Sequence, residues 1–393
     1  MTQARVIAAA VAGALLGAGI TLALPVPGLP SGPTGEPGWP VQVLGPAEVP
    51  TLLAWTPGGL PQGFVGAVRG LPTVRSVAVV RSGIVWLDAW GEAGDPAQSP
   101  ARGLRIPTEV AAVHPATYRA FVPASDRPSV AGLERGHALL GSTAAAIRGI
   151  ETGGSLAMGD RMLTVDGVME DGLVGAHEVV VSYETGRALG VITPRYLLVA
   201  PRPDVDHRKV EVGLRRVVPA GVRLRVRAPG ETPVFRQGDA VLPQVRIKEL
   251  FGEFAAEPQP DGTIRIDPAW TRDNIVEARV PILRGAVVCH RLILPQLRAA
   301  LRELVRKGLG DLLDPGDYGG CYSPRFANFD TGAGLSHHAW GVAIDFNVSR
   351  NLLGDQPSLD PRVVEVFRDA GFQWGGQFLV PDGMHFEFLE FPD

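Results

Sequence analysis

Apolar positions recur along this chain with two different periods, and one uninterrupted apolar run opens it. Val6 to Leu24 is apolar apart from Thr21 and a few glycines, and Arg5 precedes it. Nineteen helical residues would span roughly 28 Å, about one hydrocarbon core, so residues 1–24 are expected to be a transmembrane anchor or a signal sequence. The basic residue ahead of the run predicts that the start stays in the cytoplasm and the rest is exported. Residues 25–50 follow with Pro25, Pro27, Pro30, Pro33, Pro37 and Pro40, the composition of a linker or stalk.

From residue 51 to about 280 the pattern is that of an α/β region. Pro61 to Arg69 predicts a short helix. Ser76 to Val80 and Ile84 to Leu87 read as a strand pair turned at Ser82-Gly83. Leu133 to Ile150 reads as a helix, Arg161 to Val168 and Glu178 to Tyr183 as strands, and Val210 to Val226 as a β-rich stretch. Gly141 to Val181 resembles the extracytoplasmic domain of bacterial ABC-type permeases of export and cell division. That resemblance rests on no catalytic motif and implies an envelope-exposed interaction or scaffold region, with an envelope protein as its expected partner.

The texture changes near Pro281. Leu294, Leu297, Leu301, Leu304 and Val305 make one helical stripe, with Pro295 in the first turn and Gly308 at the end. A second helix is predicted from the cap Asp360 to Gly371, burying Val363, Val366 and Phe367. Between and after these helices the period drops to two. Val342, Ile344 and Phe346 share one face of a predicted strand, while Gly341, Ala343 and Asp345 share the other. In a second strand Met384, Phe386 and Phe388 point inward and His385 and Glu387 outward. A lone Asp beside small residues leaves space above the sheet, and a carboxylate there needs a cation or a donor. Two such strands side by side would bring Asp345 and His385 onto one surface, and His338 in the preceding loop could close the site. Two imidazoles and one carboxylate match a catalytic zinc site with an open fourth position. Asp382, three residues before His385, is within reach of a water held there. Each of these histidines, taken singly, reads more often as a structural residue than as a ligand.

Composition sharpens this picture in three ways. The chain has 393 residues, 45% of them hydrophobic, enough for two or three domains with sizeable cores. Its formal net charge is −4 with no basic run, which argues against a nucleic-acid partner. The only two cysteines, Cys289 and Cys321, are expected to pair in an exported protein, closing a loop of about 30 residues worth roughly 3 kcal/mol in the chain-entropy account.

Ser336, His338, Gly341, Ala343 and Asp345 stand in the order S-x-H-x-x-G-x-A-x-D, and Asp382 and His385 in an acid-x-x-His motif. With Trp374-Gly375-Gly376 and the segment from Gly319 to Arg325, these residues resemble the M15 family of zinc peptidases. That family contains D-alanyl-D-alanine carboxypeptidases, vancomycin-resistance dipeptidases and L-alanyl-D-glutamate endopeptidases. The resemblance covers residues 285 to 390. It implies that His338, Asp345 and His385 hold Zn2+, and that Asp382 takes a proton from the attacking water and passes it to the leaving amine. It further implies that Arg325 binds the scissile carbonyl oxygen or a substrate carboxylate. Ser336 is expected to orient the loop. His337 is a weaker alternative ligand, and Glu387 a fallback base or a residue orienting a ligand.

The expected fold class is therefore α+β. An N-terminal membrane helix and linker precede an α/β region over 51–280, and a zinc peptidase domain with a small antiparallel sheet flanked by helices occupies 281–393. The expected substrate is the peptidoglycan stem peptide, outside the cytoplasm, with membrane attachment through the N-terminal helix. The competing expectation is a non-catalytic cell-wall or protein-binding scaffold that retains the fold.

Overall fold

The Val74–Glu92 strand, 19 residues long, organises most of the molecule. In the computed structural model, which describes residues 50–392 except 102 and 230–240, it pairs with four other strands of a ten-stranded mixed sheet. Its first half pairs antiparallel with Pro194–Pro201, its middle with Ile106–Val113 and its end with Ser155–Met158. Because its partner changes at Arg81–Ser82, the Ser82-Gly83 pair stays inside a continuous strand, and Gly83 faces Val110 in the ladder. The expected hairpin is thus one strand. Beyond Ile106–Val113 the sheet continues through Val179–Ser182, Ala138–Gly141 and Arg161–Met169. On the other side it runs through Leu52–Trp55 to Arg225–Arg227.

Two other expectations change for physical reasons. The Leu133–Ile150 stretch is divided at Gly136, whose φ of 82° is left-handed. A strand, Ala138–Gly141, and a short helix, Ser142–Arg148, follow it. Val210 to Val226 begins as helix and ends in the short Arg225–Arg227 strand. His207–Val217 is capped by Asp206, which accepts from Arg208 N at 2.8 Å, and it buries Val210 and Leu214 one turn apart. There the i, i+4 burial against the sheet outweighs the β-propensity of valine. The predicted strands at 161–168 and 178–183 are present as Arg161–Met169 and Val179–Ser182.

The C-terminal part holds a separate four-stranded antiparallel sheet, ordered Tyr318–Gly320, Ala343–Phe346, His385–Phe388, Phe372–Trp374. The Leu294–Arg306 helix buries Leu294, Leu297, Leu301 and Leu304, while Val305 is turned outward. The Pro361–Asp369 helix, capped by Asp360, buries Val363, Val366 and Phe367. Phe346, Phe367 and Phe386 meet beneath the sheet, with Phe367 and Phe386 stacked at 4.4 Å. Cys289 and Cys321 form a disulfide, with Cα atoms 5.4 Å apart. The fold is α+β, as expected. Among the described residues no helix is long and apolar enough to cross a membrane, and the expected anchor and linker at 1–49 lie outside those residues.

The described residues fall within one compact unit, and a buried charge cluster ties its parts together. Lys248 Nζ lies 2.8 Å from both Glu178 Oε2 and Glu253 Oε2, and donates to Pro107 O at 2.7 Å. Arg148 donates to both carboxylates, and Gln244 Nε2 to Glu178 Oε1. Two cations thereby meet two anions with almost no water. Burial opposes charge on Glu178, but Lys248 and then Arg148 outweigh it and hold its carboxyl down at about 2. A carboxylate depressed in the folded state adds stability above its ordinary 4.5 and loses it as pH falls through about 2. Glu178→Ala should strand Lys248 and Arg148 and cost about 3–5 kcal/mol. Chemical denaturation at neutral pH measures this, and the gap between variant and wild type should shrink as pH falls below 4.5.

Candidate metal centre

The site is assembled by strand register. Ala343–Phe346 and His385–Phe388 pair antiparallel with Asp345 opposite His385, Ile344 opposite Phe386 and Ala343 opposite Glu387. Directly opposed residues share a face, so the two hydrophilic groups emerge together while Ile344 and Phe386 enter the core. His338 arrives from the short 3₁₀ turn His337–Trp340 just ahead of the first strand. Ser336 caps that turn, its Oγ accepting from His338 N at 3.3 Å, which is the loop-orienting role expected of it. Gly341 then reverses the chain at φ 67°. A Cβ there would stand 2.8 Å from His290 N, so the glycine is required by both conformation and space.

His338, Asp345 and His385 each offer one ligand atom, and these atoms lie within 4.8 Å of one another. His338 Nε2 is 3.3 Å from Asp345 Oδ2, and His385 Nδ1 is 3.0 Å from Asp345 Oδ1. The donor set suits a divalent ion. The other nitrogen of each ring is already committed. His338 Nδ1 lies 2.8 Å from the carbonyl of Cys321, and His385 Nε2 lies 3.5 Å from Glu387 Oε2. Such outer contacts fix ring orientation in metal sites. Glu387 is itself 2.8 Å from His337 Nδ1 and accepts from Val241 N. His337 therefore lies on the far side of His385, outside the ligand group, and Glu387 orients rather than faces the centre.

The electrostatics favour positive charge at this point. Burial opposes ionisation of Asp345, but His338 and His385 hold its carboxyl far below the usual range. Burial likewise disfavours a charged His385, yet its contacts with Asp345 and Glu387 carry it up to about 10. Asp382 behaves in the opposite way. Burial raises it first and Asp345 adds to the rise, against His385, His338 and Arg325. Its Oδ1 is buried with no hydrogen-bond partner, an acceptor left for a group from outside the chain. Arg325 is half-buried. Its desolvation lowers it, while Asp345 and Asp382 support its charge, and its guanidinium stands 5.0 Å over the Phe329 ring.

The structure thus groups His338, Asp345 and His385, and Asp382 and Arg325 lie near enough for their charges to be felt there. It adds the Cys321 carbonyl and the His337–Glu387 pair, which no spacing along the chain reveals. The disulfide was legible as a pair of cysteines, but not as the support of His338. His137 and His177 instead bond to Asp166 and the Val174 carbonyl, and His290 is buried, its imidazole lowered to about 4 by desolvation.

Gly341→Ala should force the His338 turn away from His290. We expect loss of high-affinity divalent metal binding together with a stability cost of about 1–3 kcal/mol. Metal titration by calorimetry beside a melting curve measures both.

No curated protein matches the chain. Two solved structures are similar to part of it. One is the periplasmic region of MacB from Actinobacillus actinomycetemcomitans, at 12% identity and a TM-score of 0.32, covering 46% of this chain and 88% of that one. The other is the extracellular domain of the noncanonic ABC-type transporter YknZ from Gram-positive bacteria, at 11% identity and a TM-score of 0.29, covering 43% and 92%. Residues 330–388, which carry His338, Asp345, Asp382 and His385 on adjoining strands and loops, match the M15 peptidase family model described as D-alanyl-D-alanine carboxypeptidase.

Proposed function

We propose that this protein is a zinc-dependent peptidase that hydrolyses peptide bonds in peptidoglycan stem peptides outside the cytoplasm. The observation that carries the reading is the convergence of His338, Asp345 and His385 beside an unpartnered buried Asp382 oxygen, inside a segment of the M15 family. His338, Asp345 and His385 would hold the ion. Bound zinc supplies Lewis acidity toward the scissile carbonyl and toward water. Asp382, its pKa raised by burial, takes the proton of the attacking water and returns it to the leaving nitrogen. Arg325, facing Asp345 and Asp382, presents a fixed positive charge to the carbonyl oxygen as it becomes anionic, or to a substrate carboxylate. Residues 281–393 act as the catalytic part and residues 51–280 as an envelope-exposed support, with attachment through the 1–24 segment. The disulfide supports an extracytoplasmic location.

Zinc content and release from purified stem peptides, followed by mass spectrometry, test this. Asp382→Ala should retain about one zinc per chain and lose roughly 10²–10⁴-fold in kcat. Asp345→Ala should lose both zinc and turnover. Zinc bound with no release by wild type or variant would favour a binding module over an enzyme.

A further inference from the structure

Two loops rim the candidate metal centre, and besides their contacts within the C-terminal part both are fastened to the ten-stranded sheet. The loop between Arg325 and Ser336 is held by Arg195, at the start of the Pro194–Pro201 strand, which donates to Gly332 O. At the base of that loop Phe326 meets Trp86 of the long strand edge to face, ring centroids 6.5 Å apart. The second loop leads from Gly375 to Asp382. Its two ends are joined, since Asp382 N and Phe378 N both donate to Gly375 O at 2.9 Å. Next to them, Leu379 leaves the small sheet altogether. It packs against the hydrophobic cluster of the large sheet that contains Trp55, Tyr118 and Tyr196. Arg223, just before the Arg225–Arg227 strand, donates to the Leu379 carbonyl at 2.9 Å.

This arrangement has a consequence for Asp382. Its Oδ1 has no protein hydrogen bond to aim it, so the carboxylate is placed by the backbone of the loop. That backbone is closed at Gly375, held at Pro381 O by Gly354 N at 2.7 Å, and pinned to the large sheet at Leu379, three residues before Asp382. We propose that Leu379 and Arg223 are positioning residues for Asp382, and that the large sheet completes the catalytic centre rather than carrying it as a passenger. The proposal rests on the peptidase reading above. Misplacement of a catalytic group by about 1 Å can cost as much as 10²-fold in rate, and a loop released at Leu379 has that freedom.

The full-length protein carrying Leu379→Ala, Leu379→Met, Arg223→Ala or Arg223→Lys tests it with three readouts: kcat and KM on a D-Ala-terminated stem pentapeptide, zinc affinity by competition, and amide exchange. Leu379→Ala should lower kcat about tenfold with KM and zinc affinity changed less than about twofold. Exchange across residues 375–384 should rise, while that of the Val74–Glu92 strand stays as in wild type. Leu379→Met should restore most of the rate. Arg223→Ala should give a smaller loss of about threefold that Arg223→Lys partly recovers. Unchanged kcat and unchanged exchange at 375–384 in Leu379→Ala would overturn the proposal. So would a fall in zinc affinity as large as the fall in kcat. Should wild type bind zinc yet release nothing, the peptidase reading fails, and the exchange comparison still decides whether the sheet holds this loop.

Discussion

The pairing of Asp345 with His385 across two antiparallel strands is the constraint on which the rest of the site depends. A strand has a side-chain period of two, so a one-residue slip would carry Asp345 into the phenylalanine core and expose Ile344 in its place. The register is held from below by Phe346, Phe367 and Phe386 and from the flank by the Phe372–Trp374 strand. Hydrophobic packing on one face thereby sets the spacing of the charged groups on the other. His338 joins them because Gly341 allows a left-handed turn in the one place where a side chain would strike His290.

Placing these groups out of water is costly, and the fold offsets the cost in layers. Asp345 lies between two imidazoles. Each imidazole has its second nitrogen committed, one to the Cys321 carbonyl and the other to Glu387, which is in turn matched by His337 and the Val241 amide. The disulfide acts beyond simple cross-linking, since one of its residues supplies the carbonyl that orients His338. Asp382 is the exception, because its Oδ1 remains unmatched inside the protein. An unmatched buried acceptor is unfavourable in a resting fold and useful in one that receives a water or a substrate proton.

The same logic of buried, paired charge joins the two sheets. Arg148, Glu178, Lys248 and Glu253 knit the large sheet to the Gln244–Phe251 helix. The glycine that ends this helix accepts a hydrogen bond from Trp340 Nε1, inside the turn that carries His338. Contacts through Arg195, Leu379 and Arg223 reach the opposite rim. The candidate metal centre is therefore braced from both sides by contacts 88 to 156 positions apart in the chain.

Much of this was legible before any coordinates. The period of two around Asp345 and His385 identified the strands and the face those two residues share, because alternation records burial directly, while His338 was read from its loop and from the family resemblance. The caps and stripes of the Leu294–Arg306 and Pro361–Asp369 helices were equally plain, since those signals lie within one or two turns. Where local signals competed, the tertiary structure decided. Ser82-Gly83 became strand interior because the Ile106–Val113 strand takes up the pairing where the Pro194–Pro201 ladder ends, and Val210 and Leu214 became helical because the sheet buries them one turn apart. Glu387 was expected as a residue orienting a ligand, but the Cys321 carbonyl on His338, the His337–Glu387 pair and the anchorage of Leu379 had no trace in the sequence. They are contacts between residues far apart in the chain, and such contacts exist only once packing has brought the segments together.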